Sequence, residues 1–241
     1  MPEFGWDRVT EDEKEKILKG MEEGKAYQFP KSIEIDWTDR CNLECIFCYQ
    51  KPMQKGAEIP FDKLEKIFKE MDAEGVKTIQ VSGGGEPLFH KEIENILENL
   101  KNYPFQIGTI TTNGILMSRD ISRKLLSVVR NQITISLNFH KPEVYKEFMK
   151  TPEKNFYLVL KNIECLIEEK KLSKKEKPLI ILQFLINGEN WKVMPEMLDL
   201  GKKLKVDGVA FNPLCHWNER RDLFLEKKEE FLKVVKKVYE M

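Results

Sequence analysis

The fold of this chain is decided by residues 76–114, which read VKTIQVSGGGEPLFHKEIENILENLKNYPFQIGTITTNG. VKTIQVS is rich in β-branched residues and predicts a strand, whereas KEIENILENLKN repeats its apolar residues at helical spacing. QIGTITT then predicts a second strand. Because a helix joins the two strands, they are expected to lie parallel, with a right-handed crossover between them.

The same alternation continues on both sides of this unit. The predicted strands are 31–37, 76–82, 106–112, 132–138, 179–187 and 206–212, and the predicted helices are 11–23, 62–74, 91–102, 118–129, 142–150, 155–171, 190–205 and 222–241. Asp62 and Ser118 are the predicted N-caps of their helices, Gly75 ends the helix over 62–74, and Pro195 falls near a first turn.

Six strand–helix units favour an incomplete barrel of parallel strands, (β/α)6, over a complete eight-fold one. A doubly wound open sheet is the alternative, since alternation alone does not exclude it. The expected organisation is an N-terminal helical extension over residues 1–30 and one core domain over 31–241. The core either forms a compact enzyme by itself or precedes a further C-terminal domain.

The charge balance restricts the class of partner. The 241 residues carry 40 Lys and Arg against 40 Asp and Glu. A domain without net positive charge is unlike a generic nucleic-acid binder. No apolar run approaches the ~18 residues of a membrane span, and residues 1–19 lack the apolar region of a secretory signal. These features predict a cytoplasmic protein.

Groups suited to chemistry follow every predicted strand. In parallel β/α folds, the carboxyl ends of the strands form the rim on which active sites lie. The groups expected at this rim are the segment CNLECIFC over 41–48, the loop GGGEP over 83–87, the turn TNG over 112–114, Ser136 and Asn138, Asn187, and Asn212.

The cysteine segment predicts an inorganic centre. Three of the five cysteines, Cys41, Cys45 and Cys48, fall within eight positions. Soft thiolates suit either zinc or an iron–sulfur cluster, and the spacing alone does not decide between them. Structural zinc would need a fourth ligand. The conceivable donors are His90, His140, Cys165 and Cys215.

The ordered combination of Cys-x3-Cys-x2-Cys, an aromatic residue before the last cysteine and a glycine-rich loop after the second strand resembles the radical S-adenosylmethionine (radical SAM) superfamily. The resemblance covers residues 31–213. It implies a 4Fe–4S cluster on Cys41, Cys45 and Cys48, with S-adenosylmethionine bound to the open iron. The cofactor-binding residues that the resemblance implies are Phe47, Gly83, Gly84, Gly85, Glu86, Asn113, Ser136, Lys150, Asn187 and Asn212.

The resemblance also implies a reaction. The reduced, oxygen-sensitive cluster would cleave S-adenosylmethionine, and the resulting 5′-deoxyadenosyl radical would abstract a hydrogen atom from a substrate. The electron donor would be a protein such as flavodoxin or ferredoxin. ITISLNFHKPEVYKEFM over 133–149 and the segments after it are similar to the SPASM or twitch branch, which implies a peptide or other small natural-product precursor as substrate.

Two departures from that branch bear on the resemblance. The branch often has an arginine after the fourth strand, where the nearest cation here is Lys150. An auxiliary cluster would need more cysteines than the two that remain, Cys165 and Cys215. Cys165 is expected to be a core thiol. Cys215 has a conceivable role beside the substrate or as a ligand of an additional cluster. His140 and His216 are rim residues with either a substrate contact or a loop hydrogen bond.

Two other functions compete with this reaction. One is a non-catalytic zinc or iron–sulfur module that recruits a partner protein. The other is an activating enzyme for a glycyl-radical partner.

Overall fold

The computed structural model describes residues 10–187, 190–214 and 227–241. Its six parallel strands form one open sheet in the order β1–β2–β3–β4–β5–β6. The strands are β1 (Ser32–Glu34), β2 (Thr78–Val81), β3 (Gln106–Thr112), β4 (Val129–Ser136), β5 (Leu179–Ile186) and β6 (Gly208–Pro213). Neighbours in the sheet are neighbours in sequence, as in a barrel wall, whereas a doubly wound sheet reverses its order. The predicted incomplete barrel is confirmed.

The helices lie between successive strands, except the first, which precedes β1, and the last, which follows β6. They are α1 (Glu11–Glu23), α2 (Phe61–Ala73), α3 (Ile93–Asn99), α4 (Arg119–Val128), α5 (Pro142–Met149), α6 (Lys154–Leu172), α7 (Met194–Leu204) and α8 (Lys228–Glu240). Both α5 and α6 lie between β4 and β5. Among the described helices, none is long and apolar enough to cross a membrane.

Several predicted boundaries hold. Helix α1 and strand β3 have the predicted limits, and Ser118 caps α4 by accepting a hydrogen bond from the Ile121 backbone N–H. Pro195 lies in the first turn of α7, where its missing N–H costs no helical hydrogen bond.

Other predicted boundaries were wrong. Strand β1 has three residues, not seven, and Asp62 is not an N-cap, because α2 begins at Phe61 after Pro60. Helix α4 runs directly into β4, so that strand begins three residues before its predicted start. The helix predicted over 91–102 is α3 followed by a 3-10 turn, and residues 222–226 of the last predicted helix lie outside the described part.

The core lies between the sheet and its helices. Apolar residues of the central strands are fully buried, among them Ile79, Ile107, Ile110, Ile133, Ile135, Leu182 and Phe184. Ion pairs join two of the helices: the buried Glu169 on α6 accepts hydrogen bonds from Arg119 and Arg123 on α4. Because all six strands are parallel, the sheet places their carboxyl ends on one rim.

Candidate active site

The cysteine segment follows β1 and packs against the end of α5. The Ile46 backbone N–H donates to the Phe148 carbonyl at 3.0 Å, and the Cys45 sulfur lies 3.7 Å from the Met149 sulfur. Leu43 anchors the segment in the core, while all three cysteines are half-buried. The thiols are therefore held at the rim by packing on both sides.

The glycine loop after β2 lies directly against this segment. Gly83 and Gly84 have φ of 84° and 25°, a region that side chains with a Cβ rarely occupy. A Cβ on Gly85 would overlap the Arg40 carbonyl oxygen and lie 2.5 Å from the Asp39 carbonyl carbon. Glycine at position 85 thus allows the two loops to touch backbone to backbone.

Glu86 joins the glycine loop to the turn after β3. Its side chain is 3% exposed, and its carboxylate accepts hydrogen bonds from the Thr112 hydroxyl at 2.6 Å, the Asn113 N–H at 2.7 Å and the Leu88 N–H at 3.1 Å. In this structure both of its oxygens steady the loops.

The pH dependence of stability should report on Glu86. Burial raises its pKa to about 7, against the opposing hydrogen bonds from Asn113, Thr112 and Leu88. A carboxyl whose pKa is raised on folding binds more protons in the folded state, so its contribution to stability falls as pH rises toward 7 and is constant above it. Urea unfolding of the metal-free protein from pH 4.5 to 8 should show this decline.

The Glu86→Gln variant is the matched control for that measurement, since its side chain has the same size and does not titrate in this range. We expect the variant to lose the decline. An unchanged profile in Glu86→Gln would assign the pH dependence to other groups.

One cavity of about 520 Å³ opens at the rim and gathers most of the predicted site residues. Its predicted lining residues are Cys41, Cys45, Phe47, Cys48, Gly83, Gly85, Glu86, Asn113, Ser136 and Asn212. Three predicted residues do not line it. Gly84 packs against Asp36, and its carbonyl accepts a hydrogen bond from the Gln54 side chain. Lys150 is the exposed C-cap of α5. Asn187 exchanges hydrogen bonds with Asn190.

The cavity wall includes residues that were not predicted as ligands. Thr111, Thr112, Asn138, Met149, Gln183 and Leu185 are among them. Asn138 is buried, has a φ of 62°, and its amide oxygen has no hydrogen-bond partner among the described residues. The strand-end rule had placed Asn138 at this rim, whereas Met149 carries no sequence signal, since it is one apolar residue on an amphipathic helix.

Of the remaining histidines and cysteines, three lie in the described part of the chain and two lie outside it. His90 is buried and its ring nitrogens contact the Ile59 carbonyl and the Glu92 N–H, which is a structural role. His140 has a buried ring nitrogen without a partner among the described residues. Cys165 is half-buried on α6 instead of lying in the core as predicted. Cys215 and His216 lie outside the described residues.

The chemistry of the thiols fits an iron-containing group. Burial, followed by the nearby Cys41 and Cys48, raises the pKa of Cys45 to about 12, and burial also raises the pKa of Cys41. Thiolates in this position therefore need a positively charged partner, which thiophilic iron supplies. Among the described residues, no three His, Cys, Asp or Glu side chains are arranged to hold a single metal ion.

Comparisons of the sequence identify a family and named relatives. Residues 35–201 match the Radical SAM superfamily. "Probable GTP 3',8-cyclase" of Methanocaldococcus jannaschii is 30% identical over 192 residues, which are 76% of this chain and 60% of that protein. The protein of that name from Methanococcus maripaludis is 34% identical over 140 residues, 57% of this chain and 46% of its own length. The chain thus spans about half the length of such relatives.

Solved structures share the fold. SuiB of Streptococcus suis bound to S-adenosylmethionine aligns with 94% of this chain and 48% of its own, at a TM-score of 0.67 and 18% identity. SuiB bound to the precursor peptide SuiA aligns with 95% of this chain and 51% of its own, at a TM-score of 0.70 and 18% identity. The protein anSMEcpe with bound AdoMet aligns with 88% of this chain and 60% of its own, at a TM-score of 0.67 and 16% identity. Identities this low establish the shared fold alone.

Proposed function

This chain belongs to the radical SAM superfamily of enzymes, whose cofactors are a 4Fe–4S cluster and S-adenosylmethionine, and from that premise we propose that it cleaves S-adenosylmethionine reductively to a 5′-deoxyadenosyl radical that abstracts hydrogen from a substrate. One observation carries the proposal. Three thiols and the glycine loop line a single cavity at the carboxyl ends of parallel strands.

The chain's own residues have separable tasks in this proposal. Cys41, Cys45 and Cys48 hold the cluster, which supplies the electron for cleavage when bound. Gly83 and Gly85 lack a Cβ, so their backbone groups can approach the methionyl end of S-adenosylmethionine. Glu86 lines the same cavity, and its carboxylate fixes the glycine loop to the turn at Thr112 and Asn113.

Other residues of the cavity wall would orient the adenine and shield the radical from water. Phe47 lies between the last two cysteines and packs on Phe139, with ring centroids 6.0 Å apart. This contact fixes the ring at the cavity, where we propose that it packs against the adenine. Leu43, Met149 and Leu185 line the cavity with apolar surface, which helps to exclude water from a reactive radical.

Release of 5′-deoxyadenosine tests the proposal. The protein is reconstituted anaerobically with iron and sulfide, reduced with dithionite or a flavodoxin system, and supplied with S-adenosylmethionine. We expect 5′-deoxyadenosine in more than one equivalent per chain. A fully reconstituted cluster that releases none would contradict the proposal, and a colourless protein with stoichiometric zinc would favour the non-catalytic module.

For the substrate we propose GTP, because the relatives at 30–34% identity carry the name "Probable GTP 3',8-cyclase". A 3′,8-cyclisation replaces the hydrogen at C3′ of the ribose. GTP deuterated at C3′ should therefore transfer deuterium to 5′-deoxyadenosine, whereas GTP deuterated elsewhere on the ribose should not. If the enzyme cleaves S-adenosylmethionine but no deuterium is transferred, GTP is rejected as the substrate, and a peptide or another small molecule becomes the favoured substrate.

A further inference from the structure

Tyr145 is a buried phenol that the proposed function does not use. It lies on α5, its side chain is 0% exposed, and its ring packs edge-on against Phe156 with centroids 5.5 Å apart. Its hydroxyl is buried and has no hydrogen-bond partner among the described residues. A buried donor without a partner costs stability, so its presence here calls for an acceptor.

Tyr145 shares one face of α5 with a residue that contacts the cysteine segment. Tyr145 precedes Met149 by four residues, so both side chains lie on the same face of α5. The Met149 sulfur contacts the Cys45 sulfur at 3.7 Å, and the Phe148 carbonyl next to it accepts the Ile46 N–H. This face of α5 therefore looks onto the central thiol of the three.

Two titratable groups act electrostatically on the Tyr145 hydroxyl. Burial raises the pKa of Tyr145, with smaller contributions from the nearby Cys45 and Glu86. The phenol consequently keeps its proton and is available as a donor at neutral pH. Of these two groups, Glu86 already accepts three hydrogen bonds from Thr112, Asn113 and Leu88, which leaves the sulfur of Cys45 to accept a hydrogen bond from the phenol.

We propose that Tyr145 donates a hydrogen bond to sulfur of the iron–sulfur cluster at Cys45 and thereby makes the cluster easier to reduce. The inference rests on the proposed function, because it requires the cluster to be bound at the three cysteines. A hydrogen bond to cluster sulfur stabilises the more negative, reduced state and so raises the reduction potential. Tyr145 would thus tune the electron transfer that starts the reaction.

Tyr145→Phe tests the inference, with Tyr157→Phe as the matched control, since Tyr157 is 59% exposed on α6. In an EPR-monitored redox titration of the reconstituted proteins, the ratio of reduced to oxidised cluster at fixed potential should fall about tenfold in Tyr145→Phe. For a one-electron couple this is a shift of about 59 mV to more negative potential. Tyr157→Phe should match the unsubstituted protein.

Two further measurements separate tuning from packing. The metal-free Tyr145→Phe protein should be as stable as the parent or more so, because a buried hydroxyl without a partner has been removed. Pulsed EPR of the reduced parent protein in D₂O should detect an exchangeable deuteron coupled to the cluster, and this coupling should be lost in Tyr145→Phe.

The outcomes distinguish this inference from the proposed function. An unchanged potential in Tyr145→Phe, or no such deuteron in the parent protein, would overturn the role of Tyr145 while leaving the cluster in place. Failure of the parent protein to assemble a cluster would overturn both.

Discussion

Cys45→Ala is expected to remove the cluster and to reduce 5′-deoxyadenosine release by at least about 100-fold. Cys45 is the central cysteine of the three, and its sulfur lies in the cavity against Met149. Alanine leaves two thiols, which cannot replace the third ligand of an iron–sulfur cluster. Iron and sulfide analysis after anaerobic reconstitution, followed by the cleavage assay, measures both effects.

Cys165→Ser is the control for that substitution. Cys165 is also a half-buried free thiol, but it lies on α6 and does not line the cavity. We expect its iron content and activity to equal those of the unsubstituted protein. Loss of the cluster in Cys165→Ser with retention in Cys45→Ala would reject the proposed ligands.

Gly85→Ala is expected to destabilise the protein by about 3 kcal/mol, at the upper end for overpacking. The added Cβ would lie 2.5 Å from the Asp39 carbonyl carbon and 2.7 Å from the Arg40 carbonyl carbon. These are backbone atoms, which cannot rotate away as a side chain can. The glycine loop and the cysteine segment would have to separate, so S-adenosylmethionine binding should weaken as well. Urea unfolding and calorimetric titration measure the two losses.

Gly75→Ala separates this steric effect from backbone strain. Gly75 ends α2 with a φ of 70°, and a Cβ there would meet no atom within 4 Å. Its expected cost is about 1 kcal/mol of left-handed strain, with ligand binding unchanged. Equal destabilisation by the two substitutions would contradict the close contact at Gly85.

The sequence predicts the fold well because alternation of strand and helix is a strong periodic signal. The limits of β3 and α1 follow from their apolar patterns. Order within the sheet does not follow from that signal, since a barrel and a doubly wound sheet contain the same units. The predicted length of strand β1 was too great, because the alternation of apolar and polar residues continues to Trp37 although the pairing with β2 stops at Glu34.

The site is predicted in part for a related reason. The strand-end rule finds Ser136, Asn113 and Asn212, because topology alone brings these ends to one rim. It fails at Asn187, whose side chain closes a local turn with Asn190. Met149 enters the cavity from a helix that packs against the cysteine segment, and its position depends on packing that no strand pattern records.

We propose that Cys41, Cys45 and Cys48 hold an iron–sulfur cluster that faces a pocket for S-adenosylmethionine. The most direct measurement is the EPR spectrum of the reduced, reconstituted protein before and after S-adenosylmethionine is added. We expect the signal of a reduced 4Fe–4S cluster whose g values change when S-adenosylmethionine binds, and no such signal in Cys45→Ala. A cluster signal that persists in Cys45→Ala would show that Cys45 is not a ligand, and a signal that S-adenosylmethionine leaves unchanged would show that it does not bind the cluster.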